Sequence, residues 1–204
     1  MNLRLILVRH CQSYGNVDMA EKPSFHPDDP PLTPEGKRQA ELLAARYSEG
    51  EIDKIYSSTL IRTVETVYPL AEKLGLPVIT VPQLMEMNTG ITGTDTAVLE
   101  KEFPLAVPDY SGWLMGEETT EITEGRADFC VKKIFGECSD KETVLVATHG
   151  SFYGFILRRC LGLTLPESFN WQIDNCSVTE ILFRDGKIPK LVCANDTKHL
   201  VGGI

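Results

Sequence analysis

Two short apolar runs each deliver a histidine at their carboxyl end, and this repetition is what most limits the architectures open to the chain. Leu3–Val8 (LRLILV) runs into Arg9-His10-Cys11, and Thr143–Thr148 (TVLVAT) runs into His149-Gly150. Continuous apolar character over so few residues marks strands buried on both faces, as in parallel sheets covered by helices. The stretches between them alternate in kind. Thr33-Pro34 is a hydroxyl N-cap followed by proline at the first helical position. Ala40, Leu43, Ala44 and Tyr47 then share one helix face, with Gly50 beyond its end. Lys54–Tyr56 is a short strand, and Ser57-Ser58 can cap a helix whose apolar positions are Leu60, Val64, Val67, Ala71 and Leu74, ending at Gly75. Pro69 lies inside that helix and is expected to bend it.

Pro77–Val81 is a further strand. Residues 84–116 break into Gly- and Pro-punctuated pieces around one short helix, Thr94–Phe103, which predicts a partial lid or insertion around 85–115. Glu118–Phe135 is helical, as is the stretch from Gly150 through Leu161. Strands at Ser177–Phe183 and Pro189–Ala194 close the chain. Strands alternating with helices predict an α/β layered domain with a largely parallel sheet, and 204 residues suffice for one such domain, 1–204.

Composition excludes several roles. A net charge of −9 disfavours nucleic acid and anionic membrane as partners, so an anionic ligand must be held by a local cationic pocket. No apolar stretch is long enough to span a bilayer, and the start of the chain lacks the features of a signal peptide. The six cysteines are scattered without a CxxC pair, which points to reduced thiols in a cytoplasmic protein and away from a zinc cluster.

In open α/β sheets ligands bind beyond the carboxyl ends of the strands. If the two His-terminated strands are neighbours, His10 and His149 face one crevice, and the helix starting at Gly150 adds positive potential there. Arg62, in the first turn after a strand, lies at the same edge. Taken singly, a histidine is more often structural and an arginine more often solvated. Two of each at strand exits, without paired carboxylates, point to a phosphate-type anion site, because planar guanidinium groups suit phosphate oxygens.

VRHCQSYGN resembles the Arg-His-Gly-x-Thr/Ser-x-x-Asn signature of the histidine phosphatase superfamily, also called phosphoglycerate mutase-like. LTPEGKRQA, SSTLIRTVET, LMEMNTG, ATHGS, NCSVTEI and NDTKHL follow in that family's order. The resemblance implies a three-layer α/β/α sandwich and a metal-independent phosphomonoester hydrolase that needs no cofactor and acts on a small phosphorylated metabolite. His10 resembles the nucleophile that becomes phosphohistidine. Arg9, Arg62 and His149 resemble the phosphate clamp, joined by Asn16 and the backbone at Gly150. Glu86 resembles the acid that protonates the leaving oxygen. Physical chemistry agrees: charge on the equatorial oxygens needs cations, and an alkoxide leaves poorly without a proton.

Cys11 stands where the family usually has glycine, and is expected to add a side chain beside the nucleophile. A cysteine-based phosphatase is disfavoured, since none of the cysteines has arginine six residues on; neither GxxxxGK[ST] nor GxGxxG occurs. A non-catalytic phospho-ligand module would need neither His10 nor Glu86. Within the family, mutases tend to follow the glutamate with Arg-His-Tyr-Gly, whereas here Met87-Asn88-Thr89 are neutral, which favours the phosphatase branch over a cofactor-dependent mutase. Tyr14, Phe25, Tyr110 and Trp113 are candidate wall residues for the substrate. Homo-oligomerisation is left open.

Overall fold

Alternation along the two buried strands decides what each face of the sheet meets. The computed structural model describes residues 1–17, 29–87, 94–109, 118–164 and 171–201. β1 (Leu3–Arg9) and β5 (Thr143–Thr148) pair in parallel. Leu3, Leu5, Leu7, Val144 and Val146 point to one core, while Ile6, Val8, Leu145 and Ala147 point to the other. The period of two thus splits one apolar run between two cores. Full burial of each such aliphatic side chain is worth about 2 kcal/mol.

Helices cover both faces. α1 (Pro34–Arg46) packs on α2 (Ile61–Leu74) over the Ile6/Val8 side, and α4 (Thr120–Glu137) packs on α5 (Gly150–Leu161) over the Leu5/Leu7 side. The expected three layers are therefore present. Between them lies a seven-stranded sheet that also contains β2 (Lys54–Ser57), β3 (Val78–Thr80), β4 (Ala106–Pro108), β6 (Val178–Phe183) and β7 (Lys190–Asp196). Its order is β4-β3-β2-β5-β1-β6-β7, parallel from β4 through β1, with β6 and β7 antiparallel. Among the described residues no helix is long and apolar enough to cross a membrane.

Local signals act as the sequence indicates at several ends. The Thr33 hydroxyl accepts the Gly36 N–H at 3.0 Å to start α1, and Gly75 ends α2 in the left-handed region at φ 65°. The start of α2 differs from expectation. Its Leu60 cap has no side-chain capping bond of its own; Ser58 Oγ accepts the Leu60 N–H at 3.1 Å and Asp29 Oδ2 accepts the Ile61 N–H at 2.8 Å. Pro69 is accommodated within a continuous α2, where it withholds one N–H from the helix.

The expected insertion proves to be partly sheet. Residues 88–93 and 110–115 of it lie outside the described residues, but 94–109 form α3 (Thr96–Glu102), capped by Asp95, and the edge strand β4 beside β3. β4 escapes a sequence reading because three residues flanked by Pro104 and ending at Pro108 are too few to show alternation. A turn of 3₁₀ helix at Pro82–Leu84 and the terminal α6 (Lys198–Val201) are likewise additions.

Two glycines separate packing from propensity. A Cβ at Gly36 would sit 1.9 Å from the Gln12 carbonyl oxygen, so α1 meets the loop after β1 through that missing side chain; a Cβ at Gly136 in α4 would meet nothing within 4 Å. Gly36→Ala is expected to destabilise by about 3 kcal/mol or more, through overpacking. Gly136→Ala is expected to stabilise by about 0.5–1 kcal/mol. Urea unfolding of both variants checks the pair.

Candidate active site

Register brings the two histidines to one level. Arg9 pairs with Thr148 in the β1–β5 ladder, so the next residue of each strand is a histidine at the same height. The His10 N–H donates to the Thr148 carbonyl at 2.9 Å, and the two imidazole rings lie 5.2 Å apart between centroids, tilted by 54°. The two strands are neighbours, and His10 and His149 stand side by side at their carboxyl ends.

The ring of His10 is held in one tautomer. Its Nδ1 lies 2.7 Å from the Cys11 carbonyl oxygen, which can only accept, so Nδ1 carries the proton and Nε2 keeps its lone pair. The ring is nearly inaccessible to solvent. Burial, reinforced by the Arg62 guanidinium, pushes its pKa down to about 3, against the Cys11 hydrogen bond. The Asn175 side chain and the Cys176 N–H both donate to the His10 carbonyl oxygen, at 3.0 and 3.2 Å, and fix the backbone behind the ring.

His149 is arranged in the complementary sense. Its Nε2 lies 2.8 Å from Ser58 Oγ, and that oxygen already accepts the Leu60 N–H. A hydroxyl has one proton and two lone pairs, so Ser58 Oγ can donate to Nε2 or accept from it; with Ser58 donating, the His149 proton lies on Nδ1. Nδ1 is buried and has no hydrogen-bond partner among the described residues. In that tautomer Nδ1 is a neutral donor. Burial first, then His10 and the arginines Arg62, Arg126 and Arg9, hold His149 well below the usual imidazole range.

Two guanidinium groups flank the rings. Arg9 donates from Nη1 to the Ile173 carbonyl at 2.5 Å, while its buried Nε has no partner among the described residues. Gly150 lets Arg9 lie flat on the start of α5, because a Cβ there would come 3.3 Å from Arg9 Nε. Arg62, in the first turn of α2, is paired through Nη1 with Asp29 at 3.1 Å. Burial lowers the pKa of both arginines, opposed by Glu86 in each case. The expectation of a cationic pair without nearby carboxylates is therefore corrected. A deeply buried guanidinium needs a counter-charge, and Asp29 and Glu86 supply it.

Glu86 sits at the amino end of α5. Its Oε1 accepts the Met87 and Phe152 N–H groups at 2.9 and 3.0 Å, and Oε2 accepts the Ser151 N–H at 3.1 Å. Two of the helix N–H groups anticipated for an anion are thus taken by the carboxylate, which complements the helix dipole. Asn16 is exposed, and its Oδ1 accepts from the Ser13 N–H and hydroxyl and from the Asn175 amide, so its NH₂ is the end that can donate to a ligand.

Cys11 is a further correction. Its thiol does not join the site but lies in the core under α1 with Val8, Leu32, Leu43 and Cys176, where burial raises its pKa. A residue one step past the strand end points to the opposite side from its predecessor. Ser58, Asp29 and Asn175 are the participants that sequence reasoning missed. Ser58 follows β2 at the same sheet edge, which is the one signal that could have found it; Asp29 and Asn175 act through contacts far apart in sequence. Of the candidate wall residues, Tyr14 is half-buried, and Phe25, Tyr110 and Trp113 lie outside the described residues, as do Asn88 and Thr89.

Comparison with known proteins bears on this arrangement. Residues 5–197 match the family model of the histidine phosphatase superfamily, branch 1. A probable phosphoglycerate mutase, GpmB, of Yersinia enterocolitica is 29% identical over 220 residues, covering 97% of this chain and 95% of that protein. Among solved structures, phosphoserine phosphatase from Entamoeba histolytica in complex with 3-phosphoglyceric acid superposes with a TM-score of 0.68 at 24% identity, covering 97% and 99% of the two chains. A putative α-ribazole-5′-P phosphatase from Escherichia coli gives 0.70 at 22% identity, covering 95% and 97%. These structural likenesses are of fold.

The depressed His10 pKa links the site to stability. The unfolded chain binds a proton at this residue below the ordinary 6.5, whereas the folded chain does so only near 3. Between those values the unfolded state holds more protons, so stability present above pH 6.5 is lost as pH falls toward 3. His149 shifts in the same direction and adds to the effect. Urea midpoints measured across this window should fall with pH, and less steeply in His10→Ala.

Proposed function

Because the chain belongs to branch 1 of the histidine phosphatase superfamily, we propose that it hydrolyses a small phosphomonoester through a phosphohistidine at His10. The observation that carries this reading is the His10 tautomer. The Nδ1–Cys11 bond leaves the lone pair on Nε2, and the ring lies beside His149 and near the Arg62 and Arg9 guanidinium groups. A substrate phosphoryl group held by Arg9, Arg62, His149 and the Asn16 amide would present phosphorus to Nε2. Attack forms the P–N bond as the P–O bond to the alcohol breaks, and a protonated Glu86 gives its proton to the departing alkoxide. Glu86, now a carboxylate, takes a proton from water as that water attacks phosphorus, and the P–N bond breaks to release inorganic phosphate. The guanidinium groups meet the charge on the equatorial oxygens, which is the role a divalent cation has in other phosphoryl transfers.

A second reading is mutase activity, favoured by the name of the Yersinia relative. A mutase must keep a doubly phosphorylated intermediate bound, which calls for cationic anchors beyond those that hold one phosphoryl group. Met87, directly after Glu86, packs partly buried against the core and offers no such charge.

With 3-phosphoglycerate, inorganic phosphate is expected to accumulate, and phosphatase turnover is expected to survive exhaustive chelation. Efficient isomerisation to 2-phosphoglycerate that depends on the bisphosphate would establish the mutase. His10→Ala should lose turnover by at least about a thousandfold, and alkaline trapping of the wild type should place phosphate on His10.

A further inference from the structure

Among the described residues the largest fully buried side chain is an arginine outside the phosphate cluster. Arg126 lies in α4 with 0% of its surface exposed. Burying a guanidinium costs several kcal/mol unless it is paired and hydrogen-bonded, so its position needs a reason. Its Nη1 donates to the carbonyl oxygens of Gln83 at 2.8 Å and Met85 at 2.7 Å. Its Nε is ion-paired with Glu118 Oε1 at 2.6 Å, its guanidinium carbon sits 3.8 Å over the Phe152 ring, and its buried Nη2 has no hydrogen-bond partner among the described residues.

These partners surround Glu86 on the chain and in space. Gln83 and Met85 lead directly into it, and Phe152 is the residue whose N–H binds its Oε1. The intervening Leu84 carbonyl is held by the Thr148 hydroxyl at 2.8 Å, and the Cys130 thiol adds a bond to the Gln83 carbonyl. Three consecutive carbonyls are therefore pinned from β5 and α4. Arg126 contacts both the 3₁₀ turn that leads to Glu86 and, through the Phe152 ring, the helical turn that receives its carboxylate.

We infer that Arg126 is a positioning residue for Glu86: it clamps the 83–85 backbone to the amino end of α5, with Glu118 holding the clamp. The inference rests on Glu86 being the acid of the reading above. The planar fork of arginine suits this role, since it meets two carbonyls, a carboxylate and a ring face at once, whereas lysine offers a single point charge. A displacement of about 1 Å at a reacting group can cost about a hundredfold in rate.

The test compares kcat/KM, which reports phosphorylation of His10, for β-glycerophosphate and for p-nitrophenyl phosphate. The alkoxide of the first needs a proton to leave, and the phenolate of the second does not. Glu86→Gln is expected to lose about a hundredfold on the first and little on the second. Arg126→Lys should show the same selectivity, about tenfold against less than about threefold, and the double variant should match Glu86→Gln alone. Equal losses on both substrates in Arg126→Lys, or losses that multiply in the double variant, overturn the inference while leaving Glu86 as the acid. Equal losses in Glu86→Gln overturn the acid assignment itself and the inference with it. Should Arg126→Lys lack a cooperative melt, Glu118→Gln carries the test. It should lose a few-fold on β-glycerophosphate only, and a wild-type ratio between the substrates would overturn the inference.

Discussion

Everything at the site depends on the parallel pairing of β1 with β5 in the register that sets Arg9 beside Thr148. A slip of one residue would turn Leu5 and Leu7 toward the wrong core and move His10 away from His149 at the same time. The hydrophobic pattern that stabilises the sheet is thus the device that aligns the two imidazoles. Both faces meet close-packed cores, so such a slip is costly through misfit, about 1–3 kcal/mol for a side chain forced into a space shaped for another. Precision at the site follows from the apolar core below it.

The second constraint is electrostatic. An acidic chain of net charge −9 gathers Arg9, Arg62 and Arg126 around two histidines at one end of the sheet. Burial lowers the pKa of each of these five groups, so the imidazoles stay neutral while the guanidinium groups, far more basic to begin with, keep their charge. A neutral His10 is what a nucleophile requires, and permanent cations are what a transferring phosphoryl group requires. The same desolvation serves both ends. Asp29 and Glu86 limit the repulsion among the cations, Asp29 through Arg62 and Glu86 from the amino end of α5.

Most site bonds join segments far apart in the chain. Ser58 of the β2 edge orients His149, Asn175 ahead of β6 fixes the His10 carbonyl, and Glu86 is seated on α5. Each of these bonds ties a segment at the sheet edge to another element. Rigidity of the crevice is thereby inherited from the sandwich.

The residues themselves determined the layered α/β class, the two His-terminated strands and most helix ends. These follow from periodicity and from local capping at Thr33, Gly75 and Asp95, which act within a few residues. The order of His10, Arg62, Glu86 and His149 along the chain likewise carried the family resemblance. Only the tertiary structure decided that Cys11 turns into the core, that Asp29 neutralises Arg62, that 94–109 adds a strand to the sheet edge, and that Arg126 lies under Glu86. Such relations depend on which strands become neighbours and on which buried charge must find a partner. Both are set by packing between distant segments, and a local pattern carries no record of them.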